Sequence, residues 1–167
     1  LLHGDLEESE ILSLYCRDDV HAYVTTTHGE GYGLPIFEAA CAGLPVIATN
    51  WSAHIEYLNG LYRENNKVKN KRLFAKVDFD LQEIPKEAVW KDILVEGSLW
   101  AYPRESSFRK QMRNVYKNHG MYKKWAKALQ DQISKTHSAD IILEKMRTAI
   151  LSTISEKTEK DESVLVL

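Results

Sequence analysis

Two glutamates on either side of a glycine-rich turn are the side chains of this chain best suited to chemistry. Glu30 precedes the turn and Glu38 follows it. Gly31 and Gly33 permit backbone conformations and a close ligand approach that a side chain would block. Pro35 has a fixed φ and no N–H, which suits the first turn of a helix. The segment therefore predicts a helix N-terminus flanked by two carboxylates.

A helix that begins directly after such a turn offers unpaired N–H groups and the positive end of its dipole to an anion. Carboxylates on both sides of that anion can accept hydrogen bonds from hydroxyl groups. We therefore expect a phosphate-bearing ligand that has sugar hydroxyls on both sides of its phosphate.

The neighbouring sequence predicts the elements that position the turn. Residues 36–42 favour a helix that Gly43 ends, and residues 45–49 form an apolar run typical of a buried strand. Residues 20–27 are rich in β-branched and aromatic side chains, which predicts a strand that ends at the Glu30 loop. Since the turn follows a strand, it lies at the carboxyl end, where doubly wound sheets bind their ligands.

The remainder of the chain continues this alternation of strands and helices. Residues 59–72 are polar and basic with no clear period, which predicts a loop, whereas 73–80 and 97–101 predict strands. Apolar stripes at helical spacing predict that the last third is helical. We expect an α/β fold, a Rossmann-like doubly wound parallel sheet followed by C-terminal helices, over residues 1–155, with a flexible charged tail at 156–167.

The segment 30–48, EGYGLPIFEAACAGLPVIA, resembles the E-x7-E signature of retaining GT-B glycosyltransferases. The GxGLP sequence between the glutamates, and the small-residue helix, glycine, proline and apolar strand after them, make the resemblance specific. Residues 97–103 and the helix 104–118 are similar to a later strand and helix of the same family. The resemblance implies the C-terminal, nucleotide-sugar-binding Rossmann domain of a group-1 enzyme (glycosyltransferase family 4 and its relatives), a hexosyl-type transferase.

The resemblance also implies roles for the two glutamates. Glu38 is expected to accept hydrogen bonds from the ribose diol of the donor. Glu30 is expected to act as the catalytic carboxylate that faces the donor sugar and stabilises its oxocarbenium-like centre. A covalent role for Glu30 and front-face attack directed by the leaving phosphate both stay open. The expected diphosphate-binding backbone belongs to Gly31, Tyr32, Gly33 and Leu34, because fixed N–H donors stabilise charge that develops on phosphate oxygens.

Further candidate residues lie close to these positions in the sequence. His28 either touches the donor or closes the end of its strand. His54 and Glu56 resemble a family position near the donor, and the alternative for both is helix capping or packing. Trp51 follows the carboxyl end of a strand, so it is a candidate sugar platform, although tryptophans are more often core or interface residues.

Composition and charge limit the cofactors and partners that we expect the chain to bind. The family works without a bound catalytic metal, and the histidines and cysteines have no metal-ligand spacing, so we expect a nucleotide-sugar substrate and no metal or other cofactor. Two lone cysteines and the lack of a membrane-length apolar run favour the cytoplasm. We expect no nucleic-acid partner. Residues 104–147 hold eleven basic and four acidic residues, which either contact anionic lipid or, as we favour, form solvated helix faces.

The chain also departs from the complete family pattern. No acceptor-binding Rossmann domain precedes the motif, so we expect a fragment, inactive by itself, of a larger enzyme. The strand at 20–27 would then have an exposed edge through which the chain self-associates. A module that binds a nucleotide sugar without transferring it, and an interaction domain that keeps the motif for packing, are the alternative interpretations.

Overall fold

The computed structural model describes residues 4–164 and shows a mixed α/β chain with a small parallel sheet. Contacts divide it into two compact units, one up to Gln132 and one from Ile133 onward. The described residues contain five α-helices and seven strands. In chain order these are α1 Glu8–Tyr15, β1 Tyr23–Val24, α2 Leu34–Cys41, β2 Val46–Thr49, β3 Asn59–Glu64, β4 Lys67–Arg72, β5 Ala75–Val77, β6 Phe79–Glu83, β7 Leu99–Pro103, α3 Glu105–Lys117, α4 His119–Thr136 and α5 Ala139–Val164.

The parallel sheet of the first unit has the strand order β1-β2-β5. Ile47 is the central residue of its register, opposite Val24 in β1 and Ala75 in β5. All four residues of β2 are buried, and successive side chains of a strand point to opposite faces. The sheet is therefore covered on both faces, as parallel sheets usually are.

One buried cluster joins this sheet to the helices that follow it. Ile47 and Val77 pack there with Val115 of α3 and Tyr122 of α4, and each of the four is at most 7% exposed. On α2, the buried residues are Ile36, Ala39 and Ala40. These contacts bury part of the apolar stripes that the sequence predicts, since Met112 and Tyr116 of α3 stay exposed. They also fix the sheet whose carboxyl edge carries the glycine turn.

The expected elements around the turn are confirmed with altered bounds. Helix α2 begins two residues earlier than expected, at Leu34, and ends at Cys41, and strand β2 begins one residue later, at Val46. Helix α2 ends before Gly43, which has φ of 73°, the left-handed conformation that commonly follows a helix C-terminus. The strand expected at 20–27 is regular for two residues, β1. The strand expected at 73–80 is divided into β5 and β6 at Asp78, whose N–H bonds to the Ser107 hydroxyl (3.0 Å) instead of continuing a ladder.

The loop expected at 59–72 is wrong. Strands β3 and β4 form an antiparallel hairpin in which Asn59 pairs with Arg72 and Glu64 with Lys67. A second antiparallel ribbon, β6–β7, pairs Phe79 with Pro103. Polar side chains on both faces of the β3–β4 hairpin hide its strand period from a sequence pattern.

The second unit, from Ile133, contains the end of α4 and the whole of α5. Ser138 accepts a bond at its carbonyl from the Ile142 N–H (3.0 Å) at the start of α5. The backbone of 156–164, for which the sequence predicts a flexible tail, belongs to α5, and 165–167 lie outside the described residues. Within residues 4–164, no helix has the length and apolarity needed to cross a membrane.

Candidate functional site

The glycine turn and the segment that follows β2 meet at the carboxyl edge of the parallel sheet. The Thr49 hydroxyl at the end of β2 donates to the Thr27 carbonyl (2.8 Å), and the Asn50 N–H donates to the carbonyl of Val77 (2.9 Å). The loops after β1 and β2 are therefore connected beside the end of β5. This is the edge at which a doubly wound sheet presents its ligand-binding residues.

Ser52 fixes the backbone of Glu30. Its hydroxyl accepts from the Glu30 N–H (2.8 Å) and donates to the Glu30 carbonyl (2.6 Å). Both main-chain polar groups of Glu30 are thereby satisfied by one side chain, and Ser52 itself has φ of 84°. The position at which the Glu30 side chain leaves the loop is consequently set by a contact 22 residues away.

Gly33 is the N-cap of α2, and its φ of 81° is one that side chains rarely adopt. A Cβ added there would lie 3.0 Å from the Tyr57 hydroxyl oxygen and 3.4 Å from Cγ of Glu30. The Tyr57 hydroxyl is also 2.9 Å from the Gly33 carbonyl and 3.0 Å from the Tyr32 carbonyl. The Tyr57 hydroxyl therefore holds the Tyr32 and Gly33 carbonyls in place, and only glycine fits at position 33.

The backbone amides at the start of α2 are open. Within the described part of the chain, no acceptor takes a hydrogen bond from the N–H of Tyr32, Gly33 or Leu34. The first helical amide that is bonded to the turn is that of Phe37, which donates to the Gly33 carbonyl (2.9 Å). Three consecutive donors at the positive end of a helix dipole can bind an anion.

The two glutamates lie near the same tyrosine. The pKa of the Tyr23 phenol is raised first by burial and then by the negative charges of Glu30 and Glu38. Glu38 also accepts a hydrogen bond from the Tyr15 hydroxyl of α1 (3.2 Å), and burial together with that carboxylate raises the pKa of Tyr15 to about 12. The charges of both carboxylates therefore reach Tyr23, whose ring meets that of Tyr15 edge to face.

His28 is held by the β6–β7 ribbon. Its Nδ1 lies 2.8 Å from the Ala101 carbonyl, which can only accept, so Nδ1 carries the proton. Its ring stacks on Trp100 with a centroid distance of 5.3 Å and leans on Tyr102 at 4.5 Å. These contacts correspond to the structural alternative for His28, in which it closes the end of its strand.

His54 and Glu56 have different environments. His54 is fully buried and donates from Nε2 to the Thr49 carbonyl (2.7 Å), while its Nδ1 has no partner among the described residues. Burial lowers the pKa of His54, so the ring is neutral at pH 7 and packs in the core. Glu56 is exposed, and its charge contributes to the raised pKa of Tyr32, which places this carboxylate near the glycine turn.

Trp51 lies two residues after the end of β2 and keeps 39% of its surface exposed. Its ring lies 5.3 Å from that of Phe79, the first residue of β6. The indole is therefore supported on one side and open at the carboxyl edge of the sheet, as a sugar platform requires.

Sequence reasoning missed the residues that support the turn. Ser52 and Tyr57 contact the turn and Tyr15 contacts Glu38 of α2, in each case from 22 to 25 positions away in the chain. Such contacts depend on how the strands pair, and no local spacing in the sequence indicates them. Among the described residues, no group of three or more His, Cys, Asp or Glu side chains could hold a metal ion.

No protein-family model matches the chain, and no curated protein matches it.

Proposed function

We propose that this chain is the donor-binding portion of a retaining GT-B glycosyltransferase, which transfers a sugar from a nucleotide-sugar donor to an acceptor. The observation that carries the proposal is the arrangement at the start of α2. Three open backbone amides lie there, and the negative charges of Glu30 and Glu38 both act on Tyr23. The resemblance of residues 30–48 to the E-x7-E signature supports the same assignment.

The amides of Tyr32, Gly33 and Leu34 bind the diphosphate of the donor in this proposal. When the bond between the anomeric carbon and the phosphate oxygen breaks, the electron pair leaves with the diphosphate. N–H donors already fixed by the turn and the α2 dipole stabilise that charge without reorganisation. The support that Tyr57 gives to the Tyr32 and Gly33 carbonyls keeps the peptide groups from rotating.

In this proposal the two carboxylates contact different parts of the donor. Glu38 accepts from the ribose diol, and the hydrogen bond from Tyr15 orients its carboxylate while one oxygen stays open to the ligand. Glu30, whose backbone Ser52 holds, faces the donor sugar and stabilises positive charge at the anomeric carbon. Trp51 offers its open face to the sugar, and Glu56 lies near the turn on the Tyr32 side.

The same proposal includes a Rossmann-like fold and a cytoplasmic location for the chain. The parallel order β1-β2-β5, covered on both faces, supports a Rossmann-like domain. Cys16 and Cys41 are free thiols, which supports a reducing cytoplasm.

A second candidate is a module that binds a nucleotide sugar and transfers nothing. The arrangement at α2 favours it to the same extent, because every group assigned above contacts the donor. Incubation with labelled nucleotide sugars, together with an acceptor-binding partner domain, separates the two candidates: transfer requires the enzyme, whereas binding without transfer indicates the module.

The ribose role of Glu38 is tested by calorimetry with UDP, GDP and ADP. We expect one of these to bind, and Glu38→Gln to weaken it by about tenfold, since a hydrogen bond to a charged group contributes roughly 1.5–3 kcal/mol. Tyr15→Phe is expected to weaken it less, because it removes the support of Glu38 and not the contact.

Glu87→Gln is the matched control, since Glu87 is exposed in the 3₁₀ turn Lys86–Ala88 and has no part in the site. Affinity that is unchanged in Glu38→Gln, or equally reduced in both variants, contradicts the ribose role. If none of the three nucleotides binds, the donor site itself is contradicted.

A further inference from the structure

The β3–β4 hairpin carries a row of lysines outside the candidate donor site. In its register Tyr62 pairs with Lys69, Glu64 with Lys67 and Gly60 with Lys71. Side chains alternate along a strand, so these three lysines share one face of β4 at intervals of about 7 Å. We call Lys67, Lys69 and Lys71 the lysine face.

The lysine face leads into a cleft at the base of the hairpin. The cleft has a volume of about 480 Å³ and is lined chiefly by Lys71, Arg72, Lys76, Gln111, Tyr122 and Trp125. Three of these six side chains are cationic, one is an amide and two are aromatic, and the buried residues Phe74 and Ala75 complete the lining. A space of this size takes a single sugar-sized unit.

Most of the positive charge here is not neutralised by the protein. Lys71 has a carboxylate partner, Glu64, at 3.5 Å. Within the described residues, Lys67, Lys69 and Lys76 have no carboxylate within the 4.0 Å of an ion pair, and all three are exposed. Clustered charges of one sign create a local potential that attracts a partner of opposite sign.

We propose that the cleft and the lysine face bind a linear glycan that carries carboxylate or sulfate groups. One acidic sugar unit occupies the cleft between Lys71 and Lys76, and the following acidic units lie against Lys69 and Lys67. On the proposed transferase function, such a glycan is the acceptor or the growing product.

The aromatic rings of this region favour a glycan over single-stranded nucleic acid. Proteins that bind single strands stack bases on open aromatic faces. Here the ammonium of Lys71 lies over the ring of Trp125, 4.3 Å from its centroid, and over that of Tyr62 at 5.3 Å. Each ring already has one face covered by a cation of the protein, so the surface recognises charge and not stacked bases.

The distribution of apolar side chains disfavours a membrane surface. Leu61 and Val68 are the exposed apolar residues of the hairpin, at 66% and 54%. The register places both on the face opposite the lysine face. An interfacial membrane element needs apolar and basic side chains to reach the bilayer together. Here the three lysines lie on the other face, and only Arg63, which pairs with Val68, is an exposed basic residue beside the two apolar side chains.

The hairpin base is connected to the candidate donor site. The guanidinium of Arg72 donates a hydrogen bond to the side-chain carbonyl of Asn50, the residue between β2 and Trp51. A glycan that follows the lysine face from the tip of the hairpin therefore approaches the carboxyl edge of the sheet, where the donor is proposed to bind.

The test is fluorescence anisotropy of the full chain with a fluorescein-labelled heparin oligosaccharide, with unlabelled polygalacturonate as competitor. Both are expected to bind and neutral dextran is not. The double variant Lys67→Glu/Lys69→Glu is expected to bind heparin on the order of tenfold more weakly, because two attractive charges become repulsive. Circular dichroism checks that the hairpin variant folds, and Lys67→Gln/Lys69→Gln provides a milder second variant.

The matched control is Lys86→Glu/Lys91→Glu, which makes the same charge change at two exposed lysines outside the hairpin. Equal weakening in the control, equal binding of dextran, or tighter binding of poly(U) RNA or of phosphatidylserine vesicles than of either glycan would each overturn the proposal. Nucleotide titration of the same proteins keeps the two proposals apart: loss of nucleotide binding concerns the donor site, and loss of heparin binding concerns this one.

Discussion

Gly33 is the residue on which the geometry of the candidate site most depends. Its left-handed φ turns the chain into α2, and its hydrogen atom leaves room for the Tyr57 hydroxyl and the stem of Glu30. Gly31, two residues earlier, differs on both counts, since an added Cβ there meets nothing within 4 Å and its φ is not left-handed. The two glycines of the motif therefore differ physically: Gly33 is fixed by its conformation and close packing, whereas Gly31 has open space beside it.

We expect Gly33→Ala to lower the free energy of unfolding by roughly 1–3 kcal/mol, the usual cost of a strained backbone conformation, while Gly31→Ala changes it little. Urea unfolding followed by tryptophan fluorescence measures both variants. The pair provides its own control, because each change adds one methyl group to the same turn. Equal destabilisation of the two variants would contradict the stated role of Gly33.

At the scale of elements, the β3–β4 hairpin is the main surprise. Its turn residues Asn65 and Asn66 have φ of 50° and 60°, positive at both central positions as a type I′ turn requires. Asparagine tolerates this conformation better than other non-glycine residues do. The pair Asn65-Asn66 is the signal in the sequence that could have indicated a hairpin at 59–72.

Changes at Asn66 test the hairpin turn. Asn66→Gly is expected to raise the unfolding free energy by about 0.5 kcal/mol, because glycine adopts positive φ without steric cost. Asn66→Val is expected to lower it by about 1–2 kcal/mol, since β-branched residues resist that conformation. Thermal unfolding measured by circular dichroism distinguishes the two. A hairpin that is unaffected by valine at this position would show that the turn does not have the described geometry.

The elements that the sequence predicted well are those with a local signal. Helix α2 and strand β2 follow from a proline, a glycine and an apolar run that stand together in 35–49. The division of the strand expected at 73–80 depends on the bond between Asp78 and Ser107, which no local pattern contains. In the same way, the motif indicates Glu30 and Glu38, whereas Ser52 and Tyr57 contact it through the tertiary fold.

For the molecule as a whole, the outer edge of β1 is an open edge of the parallel sheet. The N–H groups of Tyr23 and Thr25 bond to Pro45 and Ile47 on the β2 side, so the polar groups of Val24 face away from the sheet. No strand of the described residues lies beside that edge. An apolar cavity of about 430 Å³ adjoins it, and exposed side chains at its rim are Val24, Met112 and Tyr116.

We expect the chain to self-associate through this edge at about 50 μM, because unpaired strands beside an apolar surface pair with other chains. Val24→Lys is expected to shift the protein toward the monomer, since lysine on an edge strand opposes pairing. Sedimentation velocity measures the distribution. Val95→Lys, at another exposed valine, is the matched control and should leave association unchanged. A monodisperse wild-type monomer at that concentration would contradict the edge interaction.

The most direct test of the donor site is to observe the amides themselves. In a ¹H–¹⁵N correlation spectrum titrated with UDP, GDP or ADP, we predict that the largest shift changes fall on the N–H groups of Tyr32, Gly33 and Leu34, and that inorganic phosphate at high concentration shifts the same three signals in part. Shift changes centred on another part of the chain, or three amide signals that no nucleotide moves, would contradict the account.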